Sequence, residues 1–408
     1  MHPVHHQRGH WSAGCLRRER ERLSVESKLL IVGGGVVGCA IALEARNIFD
    51  SVVLIDAREG LGLAASSAAI GGITPQSDDF CRGPLRVLAE ESRRMYPDWL
   101  KFLESQSGVS VPFLQSGLLQ VALNEEEADR LHDQVVPQWI AQGFAVEHLA
   151  PESVAGAEPL LSRQVKSAVR LPSEAALEPA VLMSALVGAL TKDPGVTVMS
   201  GVRVEGVRRS GSGAEIDLGT RGTLRGDACV VAAGAWSPEL VPTGERAQFP
   251  VRGQAAELRV PGSRAYSLRH HIYSKIPVEG ETVSSYVVPR SDGRVVVGVT
   301  YDEDRWDEAP EEQATRSLLD ALHIMVPSSD RWALLRSWAG VRPGTADGYP
   351  LIGPIDEDGR VVLATGHFGV GITLAPVTGA LVTALLSRTR VSESHLAALR
   401  MMNPRRFM

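Results

Sequence analysis

The sequence predicts an α/β protein of two domains (α+β in overall arrangement): a Rossmann-like dinucleotide-binding domain and an antiparallel β-sheet domain. Three observations carry that expectation. An apolar strand, Leu29-Leu-Ile-Val32, runs into Gly33-x-Gly35-x-x-Gly38 and a helix pattern, and a second apolar strand, Val52-Val-Leu-Ile55, ends on Asp56. Strand-rich sequence fills the middle of the chain. Glycine-rich loops then return at Ala232-Ala233-Gly234 and near the C-terminus. The nucleotide domain is therefore expected in three segments, with the β domain inserted between them.

Each residue type in the first motif has a physical task. Gly33 permits the tight turn, Gly35 lets backbone approach a pyrophosphate, and Gly38 lets helix and strand pack closely. Val36 and Val37 open the following helix, whose unpaired N–H groups and positive dipole favour a diphosphate. Asp56 is placed to accept hydrogen bonds from both hydroxyls of an adenosine ribose. A bound dinucleotide follows from this context; its identity has to come from the rest of the chain.

Gly60-Leu-Gly-Leu-Ala-Ala-Ser-Ser-Ala-Ala-Ile-Gly-Gly72 is a loop of small residues suited to backbone pressed against a flat ligand. Residues 84–106 carry Leu85, Leu88, Met95, Trp99 and Phe102 at three- and four-residue spacings and read as a helix. Residues 117–123 read as a strand, and Asn124-Glu-Glu-Glu127 as a helix cap with an acidic first turn. A helix is expected from Glu178 to Leu190, then strands at 196–204, 214–218 and 227–233. Residues 284–289 and 293–300 form a hairpin about Ser291-Asp292-Gly293. A helix at 311–324, a strand at 360–364 and a helix at 372–387 close the chain.

Composition limits the partners. The 408 residues are 44% apolar and 22% charged, with a net charge of −6 and a mean hydropathy of −0.01. Such a charge gives no long-range attraction for nucleic acid or anionic membrane, and no apolar run reaches the length of a membrane span. Neither partner is expected. Cys15, Cys39, Cys81 and Cys229 show no metal-ligand spacing, so no metal is expected; Cys39 and Cys229 read as small buried hydrophobes, and a reducing cytoplasm fits. The first 27 residues, with His2, His5, His6, His10 and Arg17-Arg-Glu-Arg-Glu-Arg22, have no apolar core of a secretory signal. They read as a disordered extension, or as a start codon placed too early.

Three further segments bear on chemistry. Val230-Val-Ala-Ala-Gly-Ala-Trp-Ser237 is a strand whose small turn, at Ala233, Gly234 and Trp236, is suited to lie over the far side of a dinucleotide. Trp338-Ala-Gly-Val-Arg-Pro-Gly-Thr345 sets Arg342 between a strand and a turn forced at Pro343-Gly344. There it either holds a carboxylate bidentately or pairs with Asp347 at the surface. Gly366-His-Phe-Gly-Val-Gly-Ile-Thr-Leu-Ala-Pro376 enters a helix with Pro376 expected in the first turn. The amides near Ile372 and Thr373 would then stabilise negative charge, such as that on the pyrimidine edge of a reduced flavin. His367 reads as catalytic or as packed under the loop, and Tyr286 as a ligand donor or a half-buried strand tyrosine. No Ser/His/Asp order, paired-acid helix or metal cluster is present, so the chemistry belongs mostly to a cofactor.

Taken together, Trp338-Ala-Gly-x-Arg-Pro-Gly-Thr-x-Asp-Gly348, Gly366-His-Phe…Gly371-Ile-x-Leu-Ala-Pro376, Tyr286-x-Val-Pro-Arg290, Val231-Ala-Ala-Gly-Ala-Trp-Ser237 and Glu178-Pro179 resemble the D-amino acid oxidase-like FAD oxidoreductases, most closely the glycine oxidase branch. The resemblance runs from about Ser27 to Leu396. It implies noncovalent FAD and a glycine oxidase/D-amino acid oxidase-like fold, with an FAD-binding domain at 28–83, 150–245 and 333–398. A substrate-binding domain at 84–149 and 246–332 and a tail at 399–408 complete the division. It implies that Arg342 pairs with a substrate carboxylate and that the Tyr286 hydroxyl assists. Cofactor contacts are implied at Gly33, Gly35, Val36, Val37, Gly38, Asp56 and Ala57, at Ser66, Ser67, Ala68, Gly71 and Gly72, and at Val204, Ala233, Gly234 and Trp236. A last group comprises Gly340, Arg342, His367, Gly369, Val370, Gly371, Ile372 and Thr373.

The implied reaction is oxidation of the C–N bond of a small amino acid or amine such as glycine, sarcosine or a D-amino acid. Hydride passes to flavin N5, the imine hydrolyses, and O2 reoxidises the flavin to give hydrogen peroxide. An amine that enters deprotonated needs no protein base. Two departures bear on the substrate. Gly369 and Val370 stand where glycine oxidases commonly carry arginine and asparagine, and Ser284 stands where histidine is common, so the pocket is expected to be less cationic. A dehydrogenase passing electrons to a quinone or a protein, a pathway-specific amine oxidase and a non-catalytic flavoprotein subunit remain as alternatives. A nicotinamide-only dehydrogenase would leave the C-terminal glycine loop without a role. A homo-oligomer is left open.

Overall fold

The two apolar runs that flank the glycine motif form the parallel strands Lys28–Val32 and Ser51–Ile55, in register from Lys28 with Ser51 to Val32 with Ile55. The computed structural model describes residues 27–262, 268–278 and 281–408; the expected N-terminal extension, with its histidines and Cys15, lies outside the described residues except for Ser27. Val196–Met199 continues the sheet beyond Ser51–Ile55. On the other flank of Lys28–Val32 lie Ala228–Val231, Val361–Thr365 and the antiparallel edge Leu351–Pro354. The chain leaves the central strand in one direction and returns on its other side. Ligands of such sheets bind beyond the strand C-termini at that switch point.

Both faces of this sheet are covered, which is why its strands are apolar throughout rather than alternating. Leu29, Ile31, Val52, Leu54 and Val230 face helices Val36–Ala45, Pro84–Ser107, Pro179–Lys192 and Gly371–Ser387. Leu30, Val32, Val53, Ile55 and Cys229 face Ala214 and Ile216 of a three-stranded sheet, Gly206–Ser210, Gly213–Asp217 and Thr223–Gly226. Cys39, Cys81 and Cys229 are fully buried thiols.

A second sheet, of nine strands among the described residues, is antiparallel except where His271–Val278 runs parallel to Leu118–Ala122. Its core is Gln248–Arg259, Arg294–Gly298, Glu281–Pro289 and His271–Val278, with Ala333–Thr345 beside the first of these. Helix Glu312–Met325 covers one face through Leu318, Ala321, Leu322 and Met325. The other face looks toward the switch point of the first sheet.

Several expectations need correction. The turn at Pro343-Gly344 does not form: Ala333–Thr345 runs straight through it, with Pro343 opposite Pro250. Two opposed prolines suit a non-hydrogen-bonded pair, where neither strand needs an N–H. The strand expected at 196–204 stops at Met199. Helix Pro84–Ser107, grouped above with the substrate domain, packs among the helices of the first sheet. Ser167–Leu171, grouped with the FAD domain, pairs in the second sheet. Residues 399–408 are not a loose tail, because helix Glu393–Met402 buries Leu399 and Met402 and Arg406 pairs with Asp347 at 2.7 Å.

Candidate active site

A cavity of about 420 Å³ runs between the two sheets, from Asp56 and Val204 past Gly33 and Gly35 to Gly340, Arg342 and Gly371. Gly33 has φ +107°, and a Cβ there would lie 2.3 Å from the Ala232 carbonyl oxygen, so only glycine makes this turn. Gly38 does not line the cavity. A Cβ there would meet the Gly33 oxygen at 1.9 Å, which gives it the packing task that the motif predicts. The first-turn amides of Val36 and Val37 have no intrahelical acceptor. Ser66 Oγ takes the Val36 N–H at 2.9 Å, and Val37 lines the cavity. Asp56 is held by backbone: Oδ2 accepts from Gly34 N–H at 2.7 Å and Oδ1 from Arg58 N–H at 2.8 Å. Each oxygen keeps a lone pair for a ligand hydroxyl.

The small-residue loop contains one turn of helix, Ala65–Ala68, that turns Ser66 and Ala68 to the cavity. Ser67 points away and donates to the Gly62 carbonyl. The second sheet holds this loop from behind. Trp338 Nε1 donates to the Ala68 carbonyl at 2.9 Å, and Arg290 bridges the Ile70 and Leu177 carbonyls at 2.7 and 2.9 Å. Arg290 thereby positions Gly71 and Gly72, which line the cavity with Ala57, Ala233, Gly234 and Trp236.

At the far end, helix Gly371–Ser387 starts with Leu374 N–H bonded to the Val370 carbonyl, so the Gly371 and Ile372 amides precede any intrahelical bond and both residues line the cavity. Val370 is instead buried in the apolar core, and Thr373 Oγ1 turns to the Gly72 carbonyl at 3.4 Å. Pro376 is not in the first turn, because the helix begins at Gly371. His367 packs under the loop, with Nε2 3.1 Å from Thr378 Oγ1. Burial pushes its imidazole down to about 4, so it is neutral near pH 7. A Cβ on Gly369 would meet no atom within 4 Å, so a side chain could start there without a clash.

Arg342 lies mid-strand and half-buried, with Nη1 donating to the Thr300 carbonyl at 3.1 Å. Its guanidinium lies 4.9 Å from the Tyr301 ring centroid and 5.9 Å from that of Phe368. The pairing with Asp347 does not occur, since Asp347 is taken by Arg406. Among the described residues Arg342 makes no ion pair, although burial pushes it below the usual arginine range while Tyr301, Asp302 and Asp78 oppose that shift. Tyr286 lines the same end, its ring 4.5 Å from that of Tyr273. Burial pushes the phenol well up, so it stays a protonated donor.

Asp78, Phe80, Tyr301 and Phe368 line this end too and escaped the sequence reading. Phe80 and Phe368 lie 4.3 Å apart, and Phe368 holds φ +46° to reach its place. Asp78 and Phe80 sit in a loop without periodicity, and Tyr301 lies just past its strand. Phe368 lies inside a motif whose sequence signal is its glycines.

The residues fit a dinucleotide with a flat ring: an acid beyond the second strand, first-turn amides without intrahelical acceptors at two helix starts, and small residues between. The family model for FAD dependent oxidoreductases matches residues 28–385. Glycine oxidase from Geobacillus kaustophilus is 31% identical over 378 residues, covering 88% of this chain and 92% of that protein. The bifunctional protein ThiO/ThiG of Synechocystis sp. is 30% identical over 390 residues, 95% of this chain but 55% of that protein; the chain thus spans about half the length of this relative. The crystal structure of glycine oxidase from Geobacillus kaustophilus matches with a TM-score of 0.84 at 29% identity, covering 94% of this chain and 100% of that one. Geometry and likeness agree: this chain belongs to the DAO family of FAD-dependent oxidoreductases, and its cofactor is FAD.

Proposed function

We propose that the protein oxidises the C–N bond of a small amino acid or amine. The observation that carries this reading is Arg342, a guanidinium that lines the ring end of the cavity and whose only hydrogen-bond partner among the described residues is the Thr300 carbonyl. Arg342 binds the substrate carboxylate, and the Tyr286 hydroxyl donates a second hydrogen bond to it. FAD, when bound, supplies two-electron oxidation of the amine and passes the electrons to O2, which leaves as hydrogen peroxide. The loop held by Trp338 and Arg290 and the amides of Gly371 and Ile372 orient the ring. The substrate enters as the neutral amine, so no side chain has to take its proton. The imine then adds water and divides into a carbonyl acid and ammonia or an amine. The likeness to proteins named glycine oxidase supports an amino acid substrate.

The test is absorbance of the holoprotein without oxygen while glycine, sarcosine and D-amino acids are added. Bleaching of the flavin bands by one of them is expected, with Arg342→Ala raising the half-saturating concentration at least about tenfold, the worth of a charged hydrogen-bonded pair. Bands that no amine bleaches would overturn the proposal.

A further inference from the structure

The reaction cavity has an annex of about 130 Å³ that no step of the proposed reaction uses. Asp78, Phe80, Tyr286 and Tyr301 line both spaces, so the annex adjoins the end of the cavity that Arg342 lines. Its remaining walls are Asp79, Tyr273 and Ser284, and no Lys, Arg or His stands among the described residues that line it. Asp78 Oδ1 accepts the Phe80 N–H at 2.9 Å, and Oδ2 has no hydrogen bond among the described residues. The Tyr286 hydroxyl, facing both spaces, likewise has no hydrogen-bond partner among the described residues. The loop that leads into the acidic wall is tied down by hydrogen bonds. Glu174, fully buried, accepts the Gln76 N–H at 2.8 Å and the Ser77 hydroxyl at 3.0 Å, which fixes the loop just before Asp78.

We infer that the substrate carries a second, cationic nitrogen, and that this annex, walled also by Tyr273, Tyr286 and Tyr301, receives it against Asp78 and Asp79. The inference rests on the amine-oxidation reading and narrows its substrate. Carboxylates attract an ammonium and stabilise it where it is partly desolvated. A second carboxylate would meet like charge there. The volume admits a short aminoalkyl arm. Arg342 at one end and the acidic annex at the other thus select a molecule with one anionic and one cationic terminus flanking the reacting C–N bond.

The test uses holoprotein and the rate of anaerobic flavin reduction at pH 8, where Asp78, pushed up to about 6 by burial, is ionised. N-(2-aminoethyl)glycine is compared with its isostere N-propylglycine, and both enantiomers of 2,4-diaminobutyrate with those of norvaline; glycine and sarcosine serve as references. In at least one pair the cationic member should show at least a tenfold higher ratio of reduction rate to dissociation constant. That preference should collapse toward unity in Asp78→Asn and in the double variant with Asp79→Asn. The comparison is internal to each variant, so loss of folded protein does not imitate it. Equal or better turnover of the neutral isosteres, or a preference that survives Asp78→Asn, overturns the inference and leaves amine oxidation standing. Bleaching by none of the compounds, references included, overturns both.

Discussion

Tyr96 donates its hydroxyl proton to the main-chain carbonyl of Ile372, the carbonyl whose helical partner would be the N–H of residue 376. That residue is Pro376, which has none. A tyrosine on helix Pro84–Ser107 therefore repairs the hydrogen-bond ladder of the helix that points its N-terminus at the cavity. Tyr96→Phe leaves a buried carbonyl unpaired and should cost about 1–3 kcal/mol. Thermal unfolding of the apoprotein measures it; an unchanged melting temperature would show that this carbonyl is served some other way.

Gly253 holds the second sheet open for Arg342. A Cβ there would come within 1.8 Å of Arg342 Nη1, the end of a flexible side chain, while the backbone can stay in register with Gly340. Gly253→Ala should fold and bind FAD but swing the guanidinium away from its place, raising KM for carboxylate substrates about tenfold or more. Steady-state kinetics at matched flavin content decides it, and an unaltered KM would separate Arg342 from carboxylate binding.

Asp56 ties down the glycine loop through the Gly34 amide, and the motif assigns its free lone pairs to the ribose. Removing its carboxylate in Asp56→Ala frees the Gly34 and Arg58 amides and deletes the acceptor for the ribose. FAD affinity of the apoprotein should fall at least about tenfold, since hydrogen bonds to charged groups contribute roughly 1.5–3 kcal/mol. Fluorescence titration with FAD reads this directly. Equal affinity in the variant would remove Asp56 from cofactor recognition.

Glu174 sets a pH dependence. Burial, reinforced by Glu90 and Asp78 and opposed by bonds from Gln76 and Ser77, pushes its carboxyl up to about 8 from an ordinary 4.5. Between these values the folded protein holds a proton that the unfolded chain has lost, so this group's contribution to stability falls as pH rises across the window. Asp78 acts with the same sign, but only up to about pH 6. Glu174→Gln should therefore flatten the decline between pH 6 and 8, which is at most about 1.4 kcal/mol per pH unit from one group. Urea unfolding at a series of pH values tests this; an identical slope in the variant would mean that Glu174 is ionised in the folded state.

By itself the sequence determined what local spacing determines. The glycine motif with Asp56 specified strand, turn, helix and strand, because the turn needs φ > 0 and the crossover needs close approach, and both are matters of neighbouring residues. Asn124 likewise caps its helix by accepting from Glu127 N–H at 2.8 Å, as the run Asn124-Glu-Glu-Glu127 predicts. The tertiary structure alone decided the rest. Pro343-Gly344 reads locally as a turn, yet a partner strand with Pro250 opposite keeps it extended. Arg342 reads equally as a surface partner of Asp347, until Arg406 arrives from the C-terminus and takes that acid. The tertiary structure brings Asp78, Tyr286, Tyr301, Arg342 and Phe368 to one end of a single cavity from separate stretches of chain. Which of them meet is set by how two sheets pack, and packing leaves no periodic trace in any one segment.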